Sequence, residues 1–182
     1  MNGDPVVVGV FKDDAHRFSK IACDGITLLA GLGVEGDAHC GVTVQHRYDM
    51  RKDPSRTNLR QVHLIHAELL DEVNAKGFDV KGGDLGENIC TRHLDLLALP
   101  TGSRLHIGDD AVVELTGVRS PCVYIDRFQK GLKAEMLGYT DSGALQRKSG
   151  VMSVVARAGV VRAGDRITVR LPPVRPVALK PV

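Results

Sequence analysis

The run Ala111-Val112-Val113-Glu114-Leu115-Thr116-Gly117-Val118-Arg119-Ser120-Pro121-Cys122-Val123-Tyr124-Ile125-Asp126-Arg127 changes character at its middle. Ala111 to Val118 reads as a strand. Beyond Pro121, Ile125, Phe128, Leu132 and Met136 share one helical face as far as Leu137, with Gln129, Lys130 and Lys133 left to water. Cys122 therefore stands at a helix N-terminus, where unpaired backbone N–H groups and the macrodipole favour a thiolate. Pro121 fixes the backbone before it, and Arg119 and Arg127 add positive potential if they turn the same way. A Pro-Cys pair alone fits a reactive sulfur and a small core residue equally well.

Outward from this junction the pattern is of short strands punctuated by glycine. Val6 to Phe11, Val62 to Ile65, Glu87 to Thr91, Arg104 to Ile107, Val151 to Ala156 and Arg166 to Leu171 all read as strands. Gly25 to Val34 reads as a short strand or turn. Ala67, Leu70, Val73 and Asn74 follow helical spacing, with Gly77 as the stop. Arg47 to Asn58 is polar, carries Asp53-Pro54-Ser55 and has no apolar period, which predicts an exposed loop. Many irregular strands and few helices point to a mainly β fold with peripheral helices, a barrel in outline. We expect one domain over residues 1–171. Residues 172–182 hold four of the eight prolines, with Arg175 and Lys180 and no acid, and should lie extended over the surface.

Composition narrows the function classes. A chain of 182 residues that is 43% hydrophobic can bury the core of one domain. No apolar run approaches the roughly 20 residues that span a bilayer, and Asp4, Lys12, Asp13 and Asp14 interrupt any signal-peptide core. Four widely spaced cysteines, Cys23, Cys40, Cys90 and Cys122, suit free thiols and a cytoplasmic setting better than a disulfide scaffold. A net charge of +2 does not by itself imply nucleic-acid or membrane binding. The five basic residues between Arg47 and Arg60, set against Asp49 and Asp53, form a local anion-binding candidate.

Several clusters carry chemistry. Gly82-Gly83-Asp84-Leu85-Gly86-Glu87-Asn88-Ile89 is either a tight turn entering a strand or a loop whose backbone approaches a ligand, with Glu87 and Asn88 orienting it. Gly36-Asp37-Ala38-His39-Cys40-Gly41 gathers a carboxylate, an imidazole and a thiol, but adjacent residues seldom converge on one zinc ion. Cys90 and His93, a conceivable second pair, would point to opposite faces of a strand. His63 and His66, which fall across a strand-to-helix junction, read as satisfied histidines at the core edge, and Cys23 and Cys90 as buried core residues. Arg147-Lys148-Ser149-Gly150 suits a phosphate group or a solvated turn. Ala163-Gly164-Asp165 reads as a hairpin turn.

In this order the segments resemble the MOSC domain, named for the C-terminal domain of molybdenum cofactor sulfurase. The matching pieces are Gly36-Asp37 with His39 and Gly41, Arg60-Gln61-Val62, Gly83 with Leu85-Gly86-Glu87-Asn88-Ile89, Pro121-Cys122, Arg147 with Gly150, and Gly164-Asp165. The resemblance implies a mixed β-barrel with peripheral helices, similar to the small β-barrel domain of pyruvate kinase, in a stand-alone form. It departs from the family pattern at Ala38 and Cys40.

The resemblance further implies a molybdenum cofactor (molybdopterin) site with Cys122 as metal ligand and catalytic residue. Arg60, Arg147 and Lys148 would neutralise the pterin phosphate, Gly83, Gly86, Glu87 and Asn88 would shape the pocket, and His39 would tune it. The expected activity is reduction of small N-hydroxylated substrates with electrons from a separate donor protein. Retention of the cofactor through purification is left open. A second implied role is sulfur transfer through a Cys122 persulfide supplied by a cysteine desulfurase, and pyridoxal phosphate binding is a further family association. A non-catalytic anion-binding or protein-interaction module is the third reading.

Overall fold

The computed structural model describes residues 3–140, 142–173 and 175–182. The chain runs β1 (Val6–Lys12), β2 (Ile21–Cys23), β3 (Ile26–Leu29), β4 (Gly33–Val34), α1 (Arg47–Lys52), β5 (Val62–His66), α2 (Ala67–Ala75) and β6 (Ile89–Arg92). It continues through β7 (Arg104–Ile107), β8 (Ala111–Val118), α3 (Val123–Phe128), α4 (Leu132–Glu135), β9 (Leu137–Tyr139), β10 (Leu145–Arg147), β11 (Val151–Arg157), β12 (Gly159–Val161) and β13 (Ile167–Arg170). The protein is mainly β with peripheral helices, as the strand pattern predicts.

Eight strands form one sheet in the order β13-β7-β8-β11-β5-β6-β1-β2. All its pairs are antiparallel except β5 with β6, which α2 and the glycine segment connect. Backbone bonds from Val7 to Asp165, Gly164 to Val7 and Ile167 to Pro5 tie the start of β1 to the entry of β13. The β13 edge of the sheet is thus brought against β1, the strand next to the other edge, by an isolated bridge and without a continuous closing ladder.

β5 explains the central packing. Val62 and Leu64 face one apolar cluster with Ile26, Leu28, Leu105, Val113, Leu115 and Val151. Ile65 faces a second cluster with Leu69, Val73, Leu85, Ile125, Leu132 and Met136 under the helices. A strand buried on both faces loses polar alternation, which is why Val62 to Ile65 is almost uniformly apolar.

Three expectations change. Arg47 to Asn58 is not all loop, because α1 occupies its first half; none of its residues is buried, so no apolar period announced it. The helix expected from Ile125 to Met136 is two short helices, broken where Gly131 takes φ 91°. Ile125, Leu132 and Met136 remain fully buried across the break, so the apolar spacing survives it. Gly164-Asp165 closes no hairpin, since β12 pairs with β3 and β13 with β7; the turn instead passes the chain between sheets against Val7. The β9–β10 hairpin, rich in exposed residues, also escaped the sequence reading.

The C-terminal segment is extended and hydrogen-bonded. Thr101 donates to Val177 at 2.8 Å and Val118 to Lys180 at 2.9 Å, while Leu179 packs on the first cluster. It braces the end of β8, from which the candidate site begins.

Candidate functional site

β8 ends against β11. The Arg119 N–H donates to Gly150 at 3.0 Å and the Ser149 hydroxyl to the Arg119 carbonyl at 2.7 Å. Gly150, at φ 95°, is required there because a Cβ would strike the Leu64 carbonyl and the His63 ring. Three residues later Cys122 caps α3 with extended φ −107°, ψ 170°, and its side chain makes no cap hydrogen bond. The helix it caps has only six residues. Cys122 is half-buried, packed against the second cluster.

Arg119 turns inward, and Arg127 does not. The Arg119 guanidinium donates to the Leu85 carbonyl of the glycine segment and lies 5.8 Å from the centre of the Phe18 ring. Burial pulls it below the usual arginine range, against the opposing influence of the neighbouring Cys122. No carboxylate forms an ion pair with it among the described residues. Arg127 instead lies over the Tyr124 ring at 4.9 Å. Arg60 is a second, half-buried arginine: burial pulls it down, and Asp49, hydrogen-bonded to it, is the main group that holds its charge.

The glycine segment owes its glycines to close backbone approach. Gly83 and Gly86 have φ 89° and 81°, and a Cβ on either would come within 2.6 Å of the Lys20 and Phe18 carbonyls respectively. Glu87 is fully buried; Oε1 accepts the Gly83 N–H at 2.6 Å and Oε2 has no hydrogen-bond partner among the described residues. Burial raises its carboxyl above the ordinary range. Asn88 is spent on the protein itself, donating to Phe11 at 3.1 Å and Asp37 at 3.0 Å and accepting from His63 at 3.2 Å.

Asp37 collects the neighbouring donors. Lys20 Nζ lies 2.5 Å from Oδ2, and the His39 N–H and ring Nδ1 lie 2.9 and 3.2 Å from Oδ1. Burial pushes this carboxyl up, but His39 and Lys20 outweigh it and hold it well below the usual range. Burial pulls His39 down, toward the neutral ring. His63 is buried with Nε2 2.8 Å from the Ser149 carbonyl, the satisfied role expected of it, whereas the His66 Nδ1 has no hydrogen-bond partner among the described residues.

The structure sorts the expected site residues. Cys122, Arg60, Gly83, Gly86, Glu87 and His39 belong to one connected polar region with Arg119 and Lys20. Lys148 directs its ammonium to Glu72 of α2 at 2.7 Å, and Arg147 lies in the β9–β10 hairpin without an ion pair among the described residues. Lys20 and Phe18 were not singled out by sequence, because their roles come from the 17–20 segment folding onto the glycine loop. Among the described residues no three His, Cys, Asp or Glu side chains converge as a metal cluster. Cys40 is raised by burial and by Asp37 and Glu35, and Cys90 is pushed up to about 12, chiefly by burial. Cys23 is half-buried, more open than the core position expected.

Beside α3 lies an open cleft of about 390 Å³, lined by Arg17, Phe18, Ser19, Tyr124, Arg127 and Phe128. The donor set suits an anionic, metal-bearing ligand. A soft sulfur adjoins a half-buried guanidinium that has a carbonyl and an aromatic ring beside it but no carboxylate in ion-pair contact among the described residues, and an anion there would gain from its charge.

The comparisons agree with this architecture. The MOSC domain model matches residues 39–168. The chain is similar in structure to the YuaD protein from Bacillus subtilis, with TM-score 0.73 and 24% identity over 91% of this chain and 95% of that one. YiiM from Escherichia coli gives TM-score 0.61 and 20% identity over 97% and 73%, and YiiM from Geobacillus stearothermophilus 0.58 and 17% over 95% and 76%. No curated protein sequence matches. No helix among the described residues is long and apolar enough to cross a membrane. A family match over most of the chain, on a fold shared with these structures, places the protein in the MOSC domain family, whose members are associated with the molybdenum cofactor.

Proposed function

We propose that this protein binds a molybdenum cofactor through Cys122 and reduces small N-hydroxylated compounds. The observation that carries the reading is the half-buried Arg119 guanidinium, without a carboxylate ion-pair partner among the described residues, beside the half-buried Cys122 sulfur. Cys122 would hold the metal, and Arg119 and Arg60 would neutralise the phosphate of the pterin. When bound, the cofactor supplies a metal centre able to pass two electrons. The chain does the rest: the Gly83 to Gly86 backbone walls the pocket, Asp37 orients His39, and the cleft beside α3 admits the substrate. Reduction consumes two electrons from a separate donor protein and two protons, breaks the N–O bond and yields the amine or amidine and water.

The same sulfur supports a second reading. Val123 and Tyr124 beside it are 51% and 52% exposed, which leaves room for a protein surface to approach. A donor persulfide would then transfer its outer sulfur to the Cys122 thiolate, releasing the donor's thiolate.

One experiment separates these. Cofactor-loaded protein with dithionite-reduced methyl viologen should consume benzamidoxime, and Cys122→Ser should abolish turnover. If turnover is absent but incubation with a cysteine desulfurase adds one sulfur at Cys122, the carrier reading replaces it. Neither result in a folded protein leaves a non-catalytic module.

A further inference from the structure

Arg60 already has an anion. Asp49 of α1 places Oδ2 3.3 Å from Arg60 Nη1 and 3.2 Å from His46 Nδ1, and its Oδ1 lies 3.9 Å from Arg56 Nη1. One carboxylate thus accepts a hydrogen bond from Arg60 and has the His46 ring nitrogen and the Arg56 guanidinium within 4 Å of it. The rest of α1 contributes nothing to the core: none of its residues is buried, and Tyr48 and Met50 are exposed. Its remaining aromatic contact is internal, Lys52 over Tyr48 at 4.4 Å. The helix is therefore held to the domain largely by the neighbours of Asp49 and by the flanking backbone bonds of Val44 with Arg56 and Asn58 with Val42.

We propose that Asp49 determines which anions the site accepts, by occupying Arg60 as a built-in competitor that a phosphate dianion displaces and a carboxylate does not. The inference rests on the reading of Arg60 as an anion-binding residue given above. A tethered competitor acts at an effective concentration of about millimolar or more. A free carboxylate offers Arg60 only what Asp49 already supplies. A phosphate brings up to a second charge and a further acceptor oxygen, and it inherits Arg56 and His46 as well as Arg60 when Asp49 leaves. Displacement costs little apolar packing, because no residue of α1 belongs to the core.

The test is calorimetric titration of the full-length chain with inorganic phosphate and, separately, acetate, together with amide hydrogen exchange across α1. Asp49→Asn should bind phosphate about tenfold more tightly than the parent, and Arg60→Ala should lose the phosphate response. Phosphate, but not acetate, should speed exchange in α1 of the parent protein. Equal or weaker phosphate affinity in Asp49→Asn, α1 exchange unmoved by phosphate, or no phosphate binding in either form would overturn the proposal. The titration requires no metal, so its failure is distinct from a failure to find molybdenum.

Discussion

Lys20 Nζ and Asp37 Oδ2 are 2.5 Å apart with side chains only 4% and 1% exposed, so an ion pair is sealed beneath the candidate site. The pair joins the first glycine motif to the second, since the Lys20 N–H also donates to the Gly83 carbonyl at 2.8 Å. Burial works against the Lys20 charge, but Asp37 keeps its own through the additional donors from Asn88 and His39. We therefore treat the pair as charged.

Removing one partner strands the other. Lys20→Met should destabilise the protein by about 3 kcal/mol, within the range for a broken buried pair. Urea unfolding at neutral pH reads this directly. A loss below about 0.5 kcal/mol, the scale of an ordinary surface substitution, would show that the pair does not matter to the fold.

Acid should expose the same linkage. Asp37 has a folded pKa below its unfolded value of about 3.9, so its contribution is complete above that value and is lost as pH falls further toward the folded pKa. Asp37→Asn should remove part of the acid limb of the stability profile while lowering stability at neutral pH. Parallel profiles for the two proteins below pH 4 would contradict this.

Glu87 has the opposite sign. Burial raises its folded pKa, so its ionisation costs stability as pH rises through the unfolded value, and that cost is absent in acid. Glu87→Gln, which can still accept from Gly83, should be tolerated or slightly stabilising at pH 7. Glu87→Ala should cost about 1–3 kcal/mol by leaving the Gly83 N–H without an acceptor. Thermal unfolding of both variants, compared at pH 4 and pH 7, provides the check.

Gly86→Ala should damage the fold and the site together. The new Cβ would meet the Phe18 carbonyl at a backbone φ of 81°, and the strained conformation alone costs about 1–3 kcal/mol. Fluorescence or circular dichroism melts should fall, and near-ultraviolet signals from Phe18 and Tyr124 should change. An unperturbed protein would show that the 17–20 segment does not pack as described.

Much of the architecture was legible because its signals are local. The apolar runs of β1, β5, β8 and β11 stand between turn residues, and the face of Ile125, Leu132 and Met136 persisted through the break at Gly131. What was hidden depends on contacts between distant segments. α1 has no buried face to leave a period in the sequence. Lys20 reads as an ordinary surface lysine until Asp37 is folded over it. The direction of Arg119, inward to Leu85, and that of Lys148, away to Glu72, are tertiary choices that adjacency to a motif cannot supply.

If the Cys122 sulfur holds molybdenum, as proposed, the metal must depend on that one atom. Metal and pterin analysis should be run on the parent and Cys122→Ser proteins, both purified from a host that makes the cofactor and both confirmed folded. Molybdenum should approach one atom per parent chain, and most of it should be lost in the variant. Equal molybdenum in the two proteins, or none in the parent, would contradict the proposal.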